Sequence, residues 1–183
     1  EFTGDEAQGF ALFKDPEKGN CLGCHVGDAG SSEPGDWLFT DYTYDNLGVP
    51  RNPDNPFYGQ DKAHNPDGRR FVDRGLGAAV NKPAEDGKFK VPTLRNIART
   101  APYMHNGYFR TLRGAVAFYN DRDVRKRCPQ DLPEAEANRR KCWPAPEVAA
   151  NVNTDELGRL GLSEREVDDI VAFLRTLDDG YLK

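Results

Sequence analysis

The residues most informative about chemistry are Cys21-Leu22-Gly23-Cys24-His25, which read C-x-x-C-H. This spacing is the attachment pattern of c-type haem. Two thiols placed in this way add across the two vinyl groups of one haem, and the adjacent histidine lies under the iron as its proximal ligand. We therefore predict one covalent haem c, anchored by Cys21 and Cys24, with His25 on the iron.

Two other interpretations of the motif remain open. A redox pair of the thioredoxin type would lie between a strand and a helix, whereas here a short helical pattern precedes the motif and a Gly/Ser loop follows it. A zinc site would need two further ligands at matching spacing. Cys128 and Cys142 are far apart and have no histidine near them. Haem attachment is the interpretation that we favour.

The composition indicates a loop-rich protein with a modest core. Of 183 residues, 37% are hydrophobic, 18 are glycine and 13 are proline, and the mean hydropathy is −0.78. A buried porphyrin would add apolar filling to such a core. The net charge of −5 offers no basic face of the kind that binds nucleic acid. A weakly acidic surface would suit a basic redox partner protein.

The sequence also predicts an oxidising compartment. It contains no apolar run long enough to span a membrane. It has no signal peptide and begins with Glu1, so we interpret it as a mature or trimmed chain. Because haem c is attached outside the bacterial cytoplasmic membrane, we expect a periplasmic location. Cys128 and Cys142 bracket a polar loop, and we predict a disulfide between them; two free thiols on a surface insertion are the alternative.

Helices at both ends of the chain should position the motif. The first is predicted over residues 3–13, with Ala7, Phe10 and Phe13 on one face. The last begins at the capping box formed by residues 163–166 and carries an apolar stripe. The stripe consists of Val167, Ile170, Val171, Leu174 and Leu177.

The region between these helices is less regular. Residues 26–90 are a loop-rich excursion punctuated by Gly, Pro, Asn and Asp, which is plausible for a segment that wraps a haem. A helix capped by Thr111 should run to about Asn120. Residues 121–155 form a charged insertion, in which residues 122–127 are interpreted as a solvated, mixed-charge face. These features predict a mostly α, cytochrome c-like fold around one covalent haem, with long irregular loops, as one domain over residues 1–183.

Several segments resemble a known family. Residues 89–107 read FKVPTLRNIARTAPYMHNG, residues 39–41 and 46–50 read FTD and NLGVP, and residues 171–177 read VAFLRTL. They resemble the bacterial cytochrome c peroxidase family, which includes the MauG-type enzymes. The resemblance runs along nearly the whole chain.

The resemblance covers only one haem domain of that family, the C-terminal one. Family members usually carry two C-x-x-C-H motifs, whereas this chain has one. Either a first domain was removed or the chain is a stand-alone single-haem relative. The family's peroxidatic haem is normally the one that is missing here. The family also binds calcium between its domains, and Thr100 and Pro102 match the residues that offer backbone oxygens there. Without the other domain we expect that calcium site to be incomplete.

The resemblance also implies candidates for the distal iron ligand. Tyr119 stands where peroxidases have Met and MauG-type enzymes have Tyr; a core tyrosine with its hydroxyl on a backbone carbonyl is the alternative. Met104, the one methionine of the chain, is the alternative ligand, and its thioether would raise the reduction potential; a packing role beside His105 is the other interpretation. His105 matches a family histidine that we expect near the haem edge. His64 lies in a polar loop, where we expect it to be solvated.

Smaller roles are assigned to three other side chains. Arg95, in the Leu-Arg-Asn motif, is predicted to pair with a haem propionate, and a surface salt bridge is the alternative. Trp37 and Trp143 are interpreted mainly as packing residues, although either could relay electrons towards a partner.

The predicted function is one-electron transfer by a periplasmic c-type haem domain, either as a stand-alone cytochrome or as the relay domain of a peroxidase-like enzyme. A MauG-like, peroxide-reactive oxidase or peroxidase is the alternative. A haem-based sensor is a third hypothesis, for which the sequence contains no output domain.

Overall fold

The computed structural model describes residues 2–27 and 34–180. Over these residues the chain is mostly helical, with little sheet and many loops. In this part of the chain no helix is both long and apolar enough to cross a membrane. The helices are α1 (Gly4–Lys14), α2 (Leu76–Val80), α3 (Leu112–Asp121), α4 (Glu134–Arg140) and α5 (Glu164–Arg175). The strands are β1 (Tyr44–Asp45), β2 (Phe89–Lys90), β3 (Lys126–Arg127) and β4 (Cys142–Trp143).

The strands form two small ladders that tie distant segments together. β1 pairs antiparallel with β2, with Tyr44 opposite Lys90. β3 pairs parallel with β4, with Lys126 opposite Cys142. Each ladder pairs two residues of one strand with two of the other. The ladders therefore connect loops and do not form a layer of their own.

Both terminal helices begin as their sequences predict. The carboxylate of Glu6 accepts a hydrogen bond from the backbone N–H of Thr3 at 2.6 Å. At α5, Glu166 accepts from the Ser163 N–H at 2.8 Å, while the Ser163 hydroxyl accepts from the Glu166 N–H at 3.3 Å. Such reciprocal bonds satisfy backbone donors that a helix start leaves unpaired.

α1 and α5 cross and form the centre of the core. All five predicted stripe residues are buried, which confirms that face, although Leu177 lies two residues beyond the end of α5. On α1 the buried residues are Gly9, Leu12 and Phe13. The prediction that Ala7 belongs to the apolar face is wrong, because Ala7 is exposed and the close approach of α5 falls at Gly9 instead.

The third long helix, α3, packs against α5 beside this crossing. The Thr111 hydroxyl accepts a hydrogen bond from the Gly114 N–H at 3.0 Å, and the helix runs from Leu112 to Asp121. This confirms the predicted cap and the predicted extent to within one residue.

The predicted disulfide between Cys128 and Cys142 is present. It closes the insertion around Trp143, which has no solvent exposure. The indole Nε1 of Trp143 donates to Asp121 Oδ1 at 2.8 Å, and its ring packs edge-on against Phe118. Trp143 thus has the packing role, which anchors the insertion to the C-terminal end of α3.

Part of the predicted solvated face over residues 122–127 is wrong. Arg122 has no solvent exposure. Its guanidinium donates to the carbonyl oxygens of Leu47 at 2.8 Å and of Asn153 at 2.7 Å, and it pairs with the Asp123 carboxylate. A buried charge needs such partners, and these lie in two distant loops that the local sequence does not reveal.

The excursion over residues 26–90 is loop-rich in its described part, as predicted, but it contains α2. This helix has five residues and no side-chain cap. Its first N–H, from Leu76, donates to the carbonyl of Lys88 at 2.9 Å. A helix this short draws its stability from tertiary contacts, so its own sequence carries little signal.

Candidate functional site

A cavity of about 520 Å3 lies between the C-x-x-C-H motif, α3 and the segment that follows β2. Its wall is mainly apolar. Each terminal helix contributes to it, through Phe13 of α1 and through Ile170 and Leu174 of α5. The wall also includes Leu47, Val49, Val91, Leu94, Ile97, Tyr103, Leu112, Ala115, Val116, Leu157, Leu160 and Leu162. An enclosure of this size and character is typical of sites for large apolar cofactors.

The haem-attachment motif forms one side of the cavity. Cys21, Cys24 and His25 all line it, and a short 3-10 turn over Cys21–Gly23 brings them together. His25 Nδ1 is 2.8 Å from the carbonyl oxygen of Phe39. Because a carbonyl only accepts, this bond places the proton on Nδ1 and leaves Nε2 with the lone pair that a metal needs. Burial lowers the pKa of His25, although its hydrogen bond to the Phe39 carbonyl works in the other direction.

The pKa values of the two thiols and the lack of further metal ligands among the described residues bear on the redox and zinc interpretations of the motif. Burial raises the pKa of Cys21 to about 12 and that of Cys24 to about 11. Thiol–disulfide exchange needs a thiolate, so these thiols are poor candidates for a redox pair. Among residues 2–27 and 34–180 no group of three or more His, Cys, Asp or Glu side chains could hold a metal ion, and zinc ligation therefore has no support there.

Tyr119 and Met104 line the same cavity. Burial raises the pKa of the Tyr119 phenol well above its usual range, and the nearby Cys21 and Cys24 add to this effect. In the described part of the chain the hydroxyl has no hydrogen-bond partner, so the alternative of a bond to a backbone carbonyl is not realised. Met104 has a φ of 67°, a conformation that residues other than glycine adopt when their surroundings impose it.

His105 also lines the cavity, and its place at the haem edge remains a prediction. Its ring stacks on Phe89, with 3.6 Å between centroids. Its Nε2 lies 3.8 Å from Oε2 of Glu147, a buried carboxylate oxygen without a hydrogen-bond partner. His64 lies elsewhere: its side chain is 71% exposed and pairs with Asp61.

Arg95 does not line the cavity. Its guanidinium donates from Nε to the carbonyl oxygen of Trp37 at 2.7 Å and from Nη2 to that of Gly35. Its predicted contact with a haem propionate therefore remains a prediction. Thr100 and Pro102, the residues matched to a calcium site, do line the cavity, and calcium binding likewise remains a prediction.

Sequence reasoning missed Phe39. Its side chain is 1% exposed, and its functional atom is a backbone oxygen, which any residue type would supply. In the structure, Phe39 stands out by its backbone conformation. Its φ is 56°, in the left-handed region that a bulky residue rarely adopts. No sequence pattern marks that conformation.

The residues present fit a covalently attached haem. The cavity is apolar, two thiols and a histidine with an oriented imidazole lie on one side, and a tyrosine hydroxyl without a partner lies in the wall. Cys21 and Cys24 would form the thioethers, His25 would bind the iron through Nε2, and Tyr119 or Met104 is the candidate for the other face.

Comparison with known proteins agrees with this site. No protein-family model matches the chain. The chain is 40% identical to the methylamine utilization protein MauG of Paracoccus denitrificans, over 98% of this chain and 43% of that protein. It is 34% identical to the cytochrome-c peroxidase IdrP1 of Denitromonas iodatirespirans, over 94% of this chain and 40% of that protein.

A solved structure extends the similarity to three dimensions. The diheme peroxidase BthA of Burkholderia thailandensis has a TM-score of 0.67 and 32% identity, covering 98% of this chain and 43% of that one. The chain thus spans about two fifths of the length of these relatives. It is homologous, over nearly its whole length, to one haem domain of the family of MauG proteins and bacterial diheme cytochrome c peroxidases.

Proposed function

We propose that this chain is a periplasmic c-type haem domain that transfers single electrons to or from a redox partner protein. Cys21 and Cys24 anchor one haem c, His25 is the proximal ligand and Tyr119 is the distal ligand. The observation that carries the proposal is the apolar cavity bounded by all four side chains. The disulfide between Cys128 and Cys142 supports an oxidising compartment.

The residues around the cavity supply orientation, charge and exclusion of water. When bound, haem supplies an iron that accepts and returns one electron. His25, held through Nδ1 by the Phe39 carbonyl, presents Nε2 as a fixed donor. As distal ligand Tyr119 would be a phenolate, whose negative charge would stabilise ferric iron and lower the reduction potential.

Electron transfer is favoured over catalysis because the distal side already offers an endogenous ligand. Tyr119 reaches the cavity without a competing hydrogen bond, and Met104 lies in the same wall. A side chain bound to the iron leaves no open coordination position for a small substrate, whereas electron transfer needs none.

The distal assignment predicts a spectroscopic change on removing one hydroxyl. In Tyr119→Phe we expect the low-temperature EPR spectrum of the ferric protein to lose its His–Tyr signature and the reduction potential to rise. Tyr103→Phe is the matched control, because Tyr103 is another buried tyrosine of the same cavity. Mass spectrometry and the pyridine haemochrome spectrum first establish whether wild-type protein carries one covalent haem.

Two results would contradict this assignment. Protein made with the haem-attachment machinery but lacking covalent haem would remove the proposed function altogether. A His–Met spectrum that Tyr119→Phe leaves unchanged and Met104→Leu abolishes would move the distal ligand to Met104 and describe a high-potential carrier.

A second candidate function is a MauG-like reaction with peroxide. Although a bound tyrosine fills the distal position, its phenolate can support high-valent iron, and this property together with the 40% identity to a protein named MauG favours the second candidate. Rapid mixing of ferric protein with hydrogen peroxide tests it. A fast change of the absorption spectrum, with a lifetime altered by Tyr119→Phe, would support this candidate, and an unchanged spectrum would eliminate it.

A further inference from the structure

The segment that ends in Phe39 is held by the segment that begins at Thr93. The Thr93 hydroxyl donates to the carbonyl oxygen of Leu38 at 2.6 Å, and the Leu94 N–H donates to the same oxygen at 3.3 Å. Arg95 adds its bonds to the carbonyls of Trp37 and Gly35. Residues 93–95 thus donate hydrogen bonds to the carbonyl oxygens of Gly35, Trp37 and Leu38. We call residues 35–38 the proximal loop.

The proximal loop leads directly to the hydrogen-bond acceptor of His25. The next residue, Phe39, has a φ of 56° and a fully packed ring. In that conformation its carbonyl accepts the hydrogen bond from His25 Nδ1. A bulky residue holds a left-handed conformation only when its surroundings enforce it. The hydrogen bonds to the proximal loop therefore determine where the Phe39 carbonyl oxygen lies.

Arg95 is the side chain best placed to enforce the conformation. Its planar guanidinium spans two carbonyls of the loop, and its Cζ lies 5.4 Å from the centre of the Phe39 ring. An ammonium cannot reproduce this geometry, because it lacks the rigid fork of donors and the flat face.

We propose that Arg95 is a positioning residue for the proximal ligand, acting through the proximal loop and the Phe39 carbonyl on His25. The carbonyl increases the electron donation of the imidazole when it accepts a strong bond from Nδ1–H. By keeping this oxygen in place, Arg95 lowers the reduction potential of the domain. This role deepens the proposed function and rests on it, and it differs from a charge pair between Arg95 and a haem propionate.

Positioning of His25 and pairing with a haem propionate predict different responses to Arg95→Lys. This variant keeps the positive charge but loses the planar set of N–H donors. A positioning role predicts a rise in reduction potential, because the bond to His25 weakens. We expect a rise of up to about 59 mV, which corresponds to a tenfold change in a one-electron equilibrium. A propionate pair predicts little change in Arg95→Lys and a fall in Arg95→Met, where a cation is lost. Arg99→Lys is the matched control. Arg99 lies four residues after Arg95, but it pairs with Asp178 and not with the proximal loop.

The imidazole 15N shifts of His25 in the haem-free protein give a second readout, the tautomer, which binding of Nε2 to the iron would otherwise fix. We expect wild type and Arg99→Lys to keep the proton on Nδ1, and Arg95→Lys to lose part of that population. An unchanged tautomer in Arg95→Lys, or a potential that does not rise, overturns the positioning role. If wild type carries no haem, the proposed function fails, while the 15N shifts still decide whether Arg95 orients His25.

Discussion

Arg122 carries a positive charge at a position without solvent exposure, three residues after Tyr119. Its neighbour Asp123 supplies the compensating negative charge. The hydrogen bond from Arg122 is the main reason that the pKa of Asp123 lies below its usual value, against the opposing effect of burial. The pair joins the end of α3 to the loops containing Leu47 and Asn153, and the first of these loops lines the cavity.

Removing the carboxylate should therefore reduce stability in a pH-dependent way. We expect Asp123→Asn to lower the free energy of unfolding by about 1.5–3 kcal/mol at neutral pH, since a hydrogen bond between charged groups is lost. A carboxyl with a lowered folded-state pKa contributes its stability above its unfolded pKa, and the contribution disappears as the pH falls through the folded value. The difference between variant and wild type should thus shrink as the pH falls below the ordinary pKa of an aspartate. Urea unfolding between pH 3 and pH 7 measures it.

An exposed ion pair provides the control for this prediction. Asp168 pairs with Arg113 on the surface, where its side chain is 57% exposed. Asp168→Asn should cost less than about 1 kcal/mol. Equal losses in the two variants would mean that burial of Arg122 does not strengthen its pair with Asp123.

At the scale of elements, the crossing of α1 and α5 depends on a residue without a side chain. A Cβ built at Gly9 would overlap the backbone carbonyl of Asp169 and would approach Phe173 Cβ to 3.0 Å. Backbone atoms cannot move aside independently, so the two helices would have to separate. Both contribute to the cavity wall through Phe13, Ile170 and Leu174, and the crossing therefore also shapes the site.

Gly9→Ala should destabilise the fold although alanine favours helix. We expect a loss of about 1–3 kcal/mol, the usual cost of overpacking a close contact, measured by thermal or urea unfolding. Gly4→Ala is the matched control in the same helix, because nothing lies within 4 Å of a Cβ added there. It should leave the stability unchanged or raise it by less than about 1 kcal/mol, through the lower entropy of the unfolded chain. A neutral Gly9→Ala would show that the crossing tolerates separation.

At the scale of the whole molecule, the insertion over residues 121–155 is part of the structure around the cavity. Its disulfide and the buried Trp143 fix it to α3. Farther along, the Glu147 N–H donates to the carbonyl of Val49 at 3.0 Å, and Val49 lines the cavity. The insertion thus supports the wall from outside.

Replacing both Cys128 and Cys142 by serine should lower stability without changing the site. A disulfide that closes a loop of about 15 residues contributes about 3 kcal/mol, mainly by restricting the unfolded chain. Thermal unfolding measures the loss, and the ferric absorption spectrum should stay as in wild type because Trp143 and Glu147 keep their contacts. An altered spectrum would mean that the disulfide itself maintains the cavity wall.

Much of the site is readable from local sequence. The thiols and His25 lie within five residues, and a helix face repeats every three or four residues, so the haem motif, the capped α5 and α3 follow from spacing, whereas Tyr119 as an iron ligand follows from the family resemblance. The disulfide follows from two cysteines that bracket a polar loop. The short α2 escaped detection because five residues are too few for a periodic pattern to show.

The chain by itself therefore determined which residues can attach a haem, which helices frame them and which family they belong to, because these features depend on neighbours in sequence. Only the tertiary structure decided that Arg95 binds the proximal loop, that Arg122 is buried and that the Phe39 carbonyl orients His25. These contacts join residues from 14 to 75 positions apart, across segments without periodicity. Their partners are backbone oxygens, which every residue type carries, and so the sequence holds no pattern by which to predict them.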